Sequence, residues 1–535
     1  MRDGVILLLY LAIPSLLYSV VKQILGWGKK KGQVGDAKFP GPRQFPIVGR
    51  IHDLPRFQLW LKFKEWADIH GPIYQTRAVD TTFVIVSDEK IAEELLVKRG
   101  HIYSGRPQIR SLIGHKEGIG YVALMDRHDH WTRQRKWVHA AMAEAYRNHF
   151  YGHVEMETTR YLAMLLADPS RFYCYTREHC GRIMSRLAWD QAQQGAKNGM
   201  SADTTLHCMS VSGPITNTMT PLWFLPWKIN PWKQFEVKRE AEQRAWWLKN
   251  YDISKKRFLA GDLPKDTWAY RYMEQVRAGG NEMLEQDREE ELFASCMIGF
   301  FNLVGVVTIA GPAKFFLMSM ALFPEWQKKA QAEIDRVCGD EMPTLANFAD
   351  LPTVRAILKE VVRWRSGVPL GVPHQCEKDD VYRGVTIKKG TIILACEWSI
   401  NRVPERYPDP ENFHPERYLE PGWPTYQEPL TRYPNFREGY GMHSFGWGRR
   451  TCLGQNIVDD EMFVFAAGVL WGFNMGRKID QRTGEPVPID DQATNSHVIL
   501  EPDPWEMTFT PRSEARAAKI MHNYEMVRPS LKVVD

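Results

Sequence analysis

The sequence predicts a mainly α-helical protein with small β-sheets, preceded by one N-terminal transmembrane helix. Three observations carry that expectation. Residues 289–323 are largely apolar and read as one long helix. The β-rich runs are few and short: Thr81–Val86 with 74–77 as its partner, a hairpin over 382–394 turning at Lys389-Gly390, and a closing pair from 498–500 and 506–509. Residues 4–21 carry no charge and are just long enough to span a bilayer, with Pro14 a tolerable kink.

In chain order, the apolar start is followed by Lys22 and by Lys29-Lys30-Lys31. That positive flank places the following domain on the cytosolic side. A cleaved signal peptide is the rival reading, but no small-residue cleavage site follows. Residues 32–37 read as a linker, and Phe39-Pro40-Gly41-Pro42 stiffens the exit because proline fixes φ and limits its predecessor. Residues 59–70 and 91–99 have helical periodicity. Trp131 and Arg135 are four apart and share a helix face. Residues 150–290 are mostly helical, with turns over 221–231. The aromatic run 221–227 reads as core, with a substrate entrance or a membrane contact as alternatives. Pro312 falls inside the long helix and should bend it near Thr308. Glu360 and Arg363 share a helix face; alone, such a pair is usually a weak surface one. A proline-punctuated loop covers 407–413 and a helix covers 457–473.

Composition excludes several classes. The 535 residues, 44% of them hydrophobic, suffice for a large core. A net charge of +5, with no basic run longer than three lysines, does not fit nucleic-acid binding. The eight cysteines are scattered with no CxxC pair, so a reducing compartment and no disulfide framework are expected.

One cysteine stands out, in Phe445-Gly446-Trp447-Gly448-Arg449-Arg450-Thr451-Cys452-Leu453-Gly454. Gly446 and Gly448 allow a tight turn close to a flat ligand. Cys452 lies where a helix begins, and N–H groups there favour a thiolate. Arg450 offers a fixed cation to an anionic ligand group. Phe445, Gly448, Arg450, Cys452 and Gly454 match the haem-binding loop of cytochromes P450, and the chain resembles that family from about Phe39 to about Pro511. The resemblance implies a cytochrome P450 fold and haem b, with Cys452 on the iron. It places Phe445 in the haem loop, and Arg450, Trp131, Arg135 and His374 at the propionates. It makes Thr308 catalytic, and turns Glu360 and Arg363, with Arg417, into a buried network that supports the cysteine loop. Where the family reads small–Gly–x–acid–Thr, this chain reads Val304-Gly305-Val306-Val307-Thr308, so the acid is replaced by Val307.

The resemblance also implies an organisation and a function. Residues 1–28 would be the membrane anchor, 29–43 a basic and proline-rich hinge, and 44–535 the catalytic domain. The enzyme would be a monooxygenase in the endoplasmic reticulum membrane, single-pass with its catalytic domain cytosolic. It would take NADPH electrons through a separate NADPH–cytochrome P450 reductase, since no nucleotide fingerprint is present. Arg127, Arg133 and Lys136 would face that reductase, or form a plain solvated face. The substrate would be a small organic molecule, in a tailoring step of fungal secondary metabolism. The reaction would be hydroxylation, the family default, or oxidative coupling or cyclisation of an aromatic substrate, which loss of the acid would impair least. The alternatives are a peroxygenase, dehydratase or isomerase that needs no reductase, and a haem-binding protein without turnover.

Overall fold

The structure, a computed structural model, describes residues 37–46, 48–280, 287–426 and 443–531. The expected membrane helix over 4–21, the lysine cluster and most of the linker lie outside these residues.

The described residues are mainly helical with three small sheets. Phe39 is buried against Tyr382, and Gln75 N donates to Pro40 O at 2.8 Å, so the hinge already packs on the sheet from Phe39 onward. Helix α1 (Leu59–His70) buries Leu59, Trp60, Phe63 and Trp66 at helical spacing. β1 (Ile73–Ala78) pairs antiparallel with β2 (Thr81–Val86), Tyr74 opposite Ile85. The helix expected over 91–99 begins at Glu89, capped by the Asp88 carboxylate, and continues as a π-helical turn over Glu93–Lys98.

The helical body follows: α2 (Asp129–Arg147), α3 (His153–Ala167), α4 (Phe172–Trp189), α5 (Gly195–Met209), α6 (Pro231–Leu259) and α7 (Trp268–Ala278). Between α5 and α6, the aromatic run is only half core. Leu222 and Trp223 are buried, but Phe224 and Trp227 are 69% and 51% exposed. The side-chain amide of Asn230 donates to the carbonyls of Leu222 and Trp223 and so fixes the turn.

α8 (Arg288–Leu322) runs unbroken through Pro312. It is apolar and long enough to cross a membrane, but it is largely buried and forms the axis of the core. Its packing needs small residues. A Cβ at Gly299 would lie 2.4 Å from Trp247 of α6, one at Gly305 2.4 Å from Met184 of α4, and one at Gly311 2.4 Å from Leu500 O. α9 (Pro324–Cys338) and α10 (Pro352–Trp364) follow.

Two β expectations are corrected. The 382–394 region is not one hairpin turning at Lys389-Gly390. β4 (Asp380–Tyr382) pairs with β5 (Val385–Ile387) across Arg383-Gly384, both with positive φ, as a type I′ turn demands. β6 (Ile392–Ala395) instead joins the first sheet, parallel to β2 and antiparallel to β3 (His374–Gln375). The closing strand β8 (Met507–Pro511) pairs with β7 (Phe473–Arg477), not with 498–500. Those residues form a loop whose Leu500 N bonds Gly367 O. α11 (Gln455–Gly472) precedes β7, and α12 (Glu514–Val527) follows β8.

α11 carries a buried acid without an ion pair. Its carboxyl meets only the neutral Cys180 thiol, and His179 Nε2, 3.9 Å away, belongs to a ring that burial holds neutral, its pKa down to about 4. Burial pushes the Glu461 carboxyl from 4.5 up to about 8. Below the unfolded value both states hold the proton. Between there and about 8 only the folded state does, so stability falls as pH rises, and above that the penalty is complete. Glu461→Gln should therefore match the parent near pH 5 in thermal unfolding. It should be more stable near pH 9, by on the order of 2–4 kcal/mol. An equal gap at both pH values would contradict this.

Candidate active site

The cysteine loop is pressed onto the π-helical turn. Gly448 has φ +50°, and a Cβ there would sit 2.6 Å from Leu96 O, so only glycine fits. Gly446, at φ +80°, turns the chain back. Cys452 N then donates to Phe445 O at 2.8 Å, and Gly454 N points at Cys452 Sγ at 3.3 Å, one residue before α11. Cys452 keeps solvent exposure although protein surrounds it densely. Burial pushes its thiol above the ordinary value, while the Gly454 N–H and the Arg135 charge pull the other way. The N–H expected to favour a thiolate is thus in place, with burial opposing it, and a bound cation at the sulfur would favour the thiolate further.

Beside the sulfur is a cluster of cations, Arg106 and Arg450 buried and Arg135 half-buried. Arg135, on α2, donates to Thr451 O at 2.9 Å and lies 5.4 Å over the Trp131 ring. Arg450 lies 4.7 Å over the same ring and donates twice to Ser104 O, at 2.9 and 2.6 Å. Arg106 donates to Ala123 O at 2.9 Å and Pro373 O at 2.6 Å. The side-chain bonds of all three guanidinium groups go to neutral carbonyls. Burial, then the neighbouring arginines, lowers Arg106 far below its ordinary value and Arg450 to about 10. His374 Nδ1 is 2.7 Å from Tyr103 O, so its N–H donates there; burial and then Arg106 keep the ring neutral.

Two donors in this cluster are buried without partners: Trp131 Nε1 and Arg450 Nη1. Clustered cations and orphaned donors beside an open cysteine fit a planar ligand that carries carboxylates and a thiolate-seeking metal. Haem has that chemistry, and the residues fit it. Of the expected site residues, the structure thus gathers Trp131, Arg135, His374, Phe445, Arg450 and Cys452. Arg106, in Ser104-Gly105-Arg106-Pro107, was not foreseen. Nothing in its spacing marks it; only its burial beside Arg450 and Arg135 does.

Thr308 belongs to a different wall. Between Phe293 and Ala321, only Val304, Gly305 and Thr308 escape burial, on one face of α8. Thr308 Oγ1 donates to Val304 O at 2.8 Å. Val307 is fully buried and so turns away from that face. Pro312 has no N–H, which leaves the Thr308 carbonyl without its usual helical donor.

The second support of the loop is buried and complete. Both Glu360 oxygens take Arg363, at 2.8 and 2.6 Å, and Oε1 also takes Arg417 at 3.3 Å and His414 N at 2.8 Å. All three side chains are fully buried. Arg363 then reaches the carbonyls of Asn401, Pro410 and Asn412, and Arg417 those of Pro408 and Asp409.

The expected basic face is largely neutralised. Arg127 pairs with Glu377, and Arg133 with Glu290 and Tyr272. Lys136 borders a 450 Å³ groove between α2, α7 and α8, walled by Trp137, Tyr272 and Phe293 and separate from the cysteine.

A helical body around one long central helix, with an open cysteine beside orphaned propionate-type donors, defines a haem-thiolate protein. The family model described as Cytochrome P450 matches residues 39–509, and the chain belongs to that family. It is 30% identical over 499 residues to "Cytochrome P450 monooxygenase COX2" of Coprinopsis cinerea, covering 91% of this chain and 92% of that one. It is 30% identical over 515 residues to "Cytochrome P450 monooxygenase claR" of Ampulloclitocybe clavipes, covering 92% and 90%. "Cytochrome P450 monooxygenase virE" of Hypocrea virens is 28% identical over 503 residues, covering 91% and 88%.

Proposed function

We propose that the protein is a haem-dependent oxidase of the monooxygenase family that tailors a small organic molecule in fungal secondary metabolism, by hydroxylation or by oxidative coupling without oxygen insertion. The observation that carries this is the pairing of Cys452 with the unpartnered donors Trp131 Nε1 and Arg450 Nη1. The family match and the monooxygenase relatives agree with it.

The Cys452 sulfur would hold haem, which would supply the oxygen-activating chemistry. Trp131, Arg135, Arg106 and Arg450 hold its carboxylates, and the neutral His374 lies among them. Val304 and Gly305 form an apolar wall for the substrate. The Thr308 hydroxyl and its freed carbonyl hold the water that carries protons. Electrons come from NADPH through a separate reductase, and residues 4–21 anchor the protein to the endoplasmic reticulum membrane, with the catalytic domain in the cytosol. Lys136 is the candidate cation for reductase contact.

Val307 shapes the reaction. The buried face it occupies can neither order water nor donate a proton. A substrate that brings its own proton suffers least, so oxidative coupling or ring closure of a phenol or indole is favoured over hydroxylation. Comparing metabolites of strains with and without the protein names the substrate. Turnover under labelled dioxygen should then give a main product without label; label in that product overturns the coupling reading. Val307→Asp should give little gain in turnover, since the new carboxyl would be buried at a cost of several kcal/mol.

A further inference from the structure

Residues 111–124, between the Arg106 segment and α2, have no regular secondary structure, yet their position is fixed by a buried network. Its centre is Arg239 on α6. Nε and Nη2 grip Glu236 at 2.6 and 2.8 Å. Nη2 also donates to the Tyr121 hydroxyl at 3.0 Å, and Nη1 to Gln243 Oε1 at 2.8 Å and Thr205 Oγ1 at 3.5 Å. All five guanidinium hydrogens are thereby used. Tyr121 donates in turn to Gln243 Oε1 at 2.8 Å, Gln243 Nε2 to Thr205 at 3.0 Å, and Ile113 N to Glu236 Oε1 at 2.9 Å. No side-chain polar atom of Tyr121, Thr205, Glu236, Arg239 or Gln243 is left buried and unpaired.

The network ties three separate elements: the 111–124 segment, α5 through Thr205 and α6. It also sets what lies on α8. The Tyr121 ring meets Phe300 edge-on at 5.6 Å, one helical turn before Val304. Either side of Tyr121, the Ile119 carbonyl takes Gln134 of α2 at 2.7 Å, and the Ala123 carbonyl takes Arg106 at 2.9 Å. The segment therefore runs from the cation cluster to the face of α8 that carries Val304 and Thr308. A fully paired buried network resists partial opening, because any one break strands a charge.

We propose that Arg239 is a positioning residue that locks segment 111–124 onto α5 and α6 and thereby limits the size of ligand that reaches the Val304–Thr308 face. The proposal rests on the haem reading of the site. Its action on ligands is through Tyr121, which loses its anchor whenever Arg239 or Gln243 withdraws. Small ligands pass regardless, and bulky ones wait for the segment to move.

The test uses the full-length, haem-loaded chain with two probes of the iron, imidazole and the bulkier phenylimidazole, followed by stopped-flow Soret changes. Tyr121→Phe keeps the ring and removes only the hydroxyl. Arg239→Lys keeps the charge and removes the fork. Both should speed phenylimidazole association about tenfold, as loss of one or two hydrogen bonds allows, and imidazole less than about twofold. Amide hydrogen exchange over 111–124 should quicken in both. Equal acceleration of both probes, or unchanged rates with unchanged exchange, overturns the proposal. If Arg239→Lys does not fold, Tyr121→Phe alone decides. A parent protein whose Soret band ignores imidazole overturns the haem reading itself, which is a separate and recognisable failure.

Discussion

Cys452→Ser is expected to abolish the red-shifted Soret band that the reduced carbon-monoxide complex of the parent should show. The sulfur is the proposed iron ligand because of where the loop puts it. Gly448 and Gly446 bring the backbone round, Phe445 O fixes the Cys452 amide, and the side chain stays open beside the Trp131–Arg135–Arg450 cluster. The other seven cysteines are free thiols with no such surroundings. Five are buried, Cys338 is half-buried, and only Cys174 is exposed. Serine keeps the loop's backbone bonds, so the variant should fold. Haem would still find the cationic cluster, so weak retention with an altered spectrum is expected rather than none. Cys174→Ser is the control and should leave the band in place. A Cys452→Ser variant with the parent's band would overturn the reading of the site.

How much of this was legible in the sequence follows from the range of the interactions. Elements set by local periodicity were readable: α1 matches the expected 59–70, and α8 is within a residue or two of 289–323. The Trp131–Arg135 pair is an i,i+4 relation, so its stacking followed from helix geometry. Strand partners were not readable where the choice is non-local. Residues 392–395 look like the second half of a hairpin, but β2, three hundred residues earlier in the chain, takes them instead. The orientation of residue 307 was equally hidden. A pattern gives the residue type at a position, but burial of Val307 is decided by what packs on α8. Arg106 shows the limit best. An arginine without a carboxylate partner looks like a surface residue until Arg450 and Arg135 are found beside it. The cysteine loop was legible because its glycines, cation and sulfur are all within ten residues.

The last large effect concerns the network behind that loop. Arg363→Ala should lower stability by roughly 3–5 kcal/mol and leave little haem-loaded protein. Glu360 would keep only His414 N and the longer bond to Arg417, as a buried charge short of partners. Burial alone would depress Arg363, but the Glu360 carboxylate outweighs it and holds the guanidinium above its ordinary value. Three carbonyls would be stranded as well. Asn401, Pro410 and Asn412 all lose their Arg363 donor, in a proline-rich segment with few backbone bonds of its own. That segment leads to Arg417, so the damage should spread toward the cysteine loop. Arg363→Lys should rescue little, because a single ammonium cannot span two carboxylate oxygens and three carbonyls. Glu360→Ala should fail for the converse reason, with two buried guanidiniums left facing each other. The surface pair Lys388–Asp379, more than half exposed on both sides, is the contrast: breaking it should cost less than about 1 kcal/mol. Thermal midpoints and haem content of the variants check the set. Full haem content in Arg363→Ala, or an equal loss in the surface control, would show that the buried network does not hold the loop.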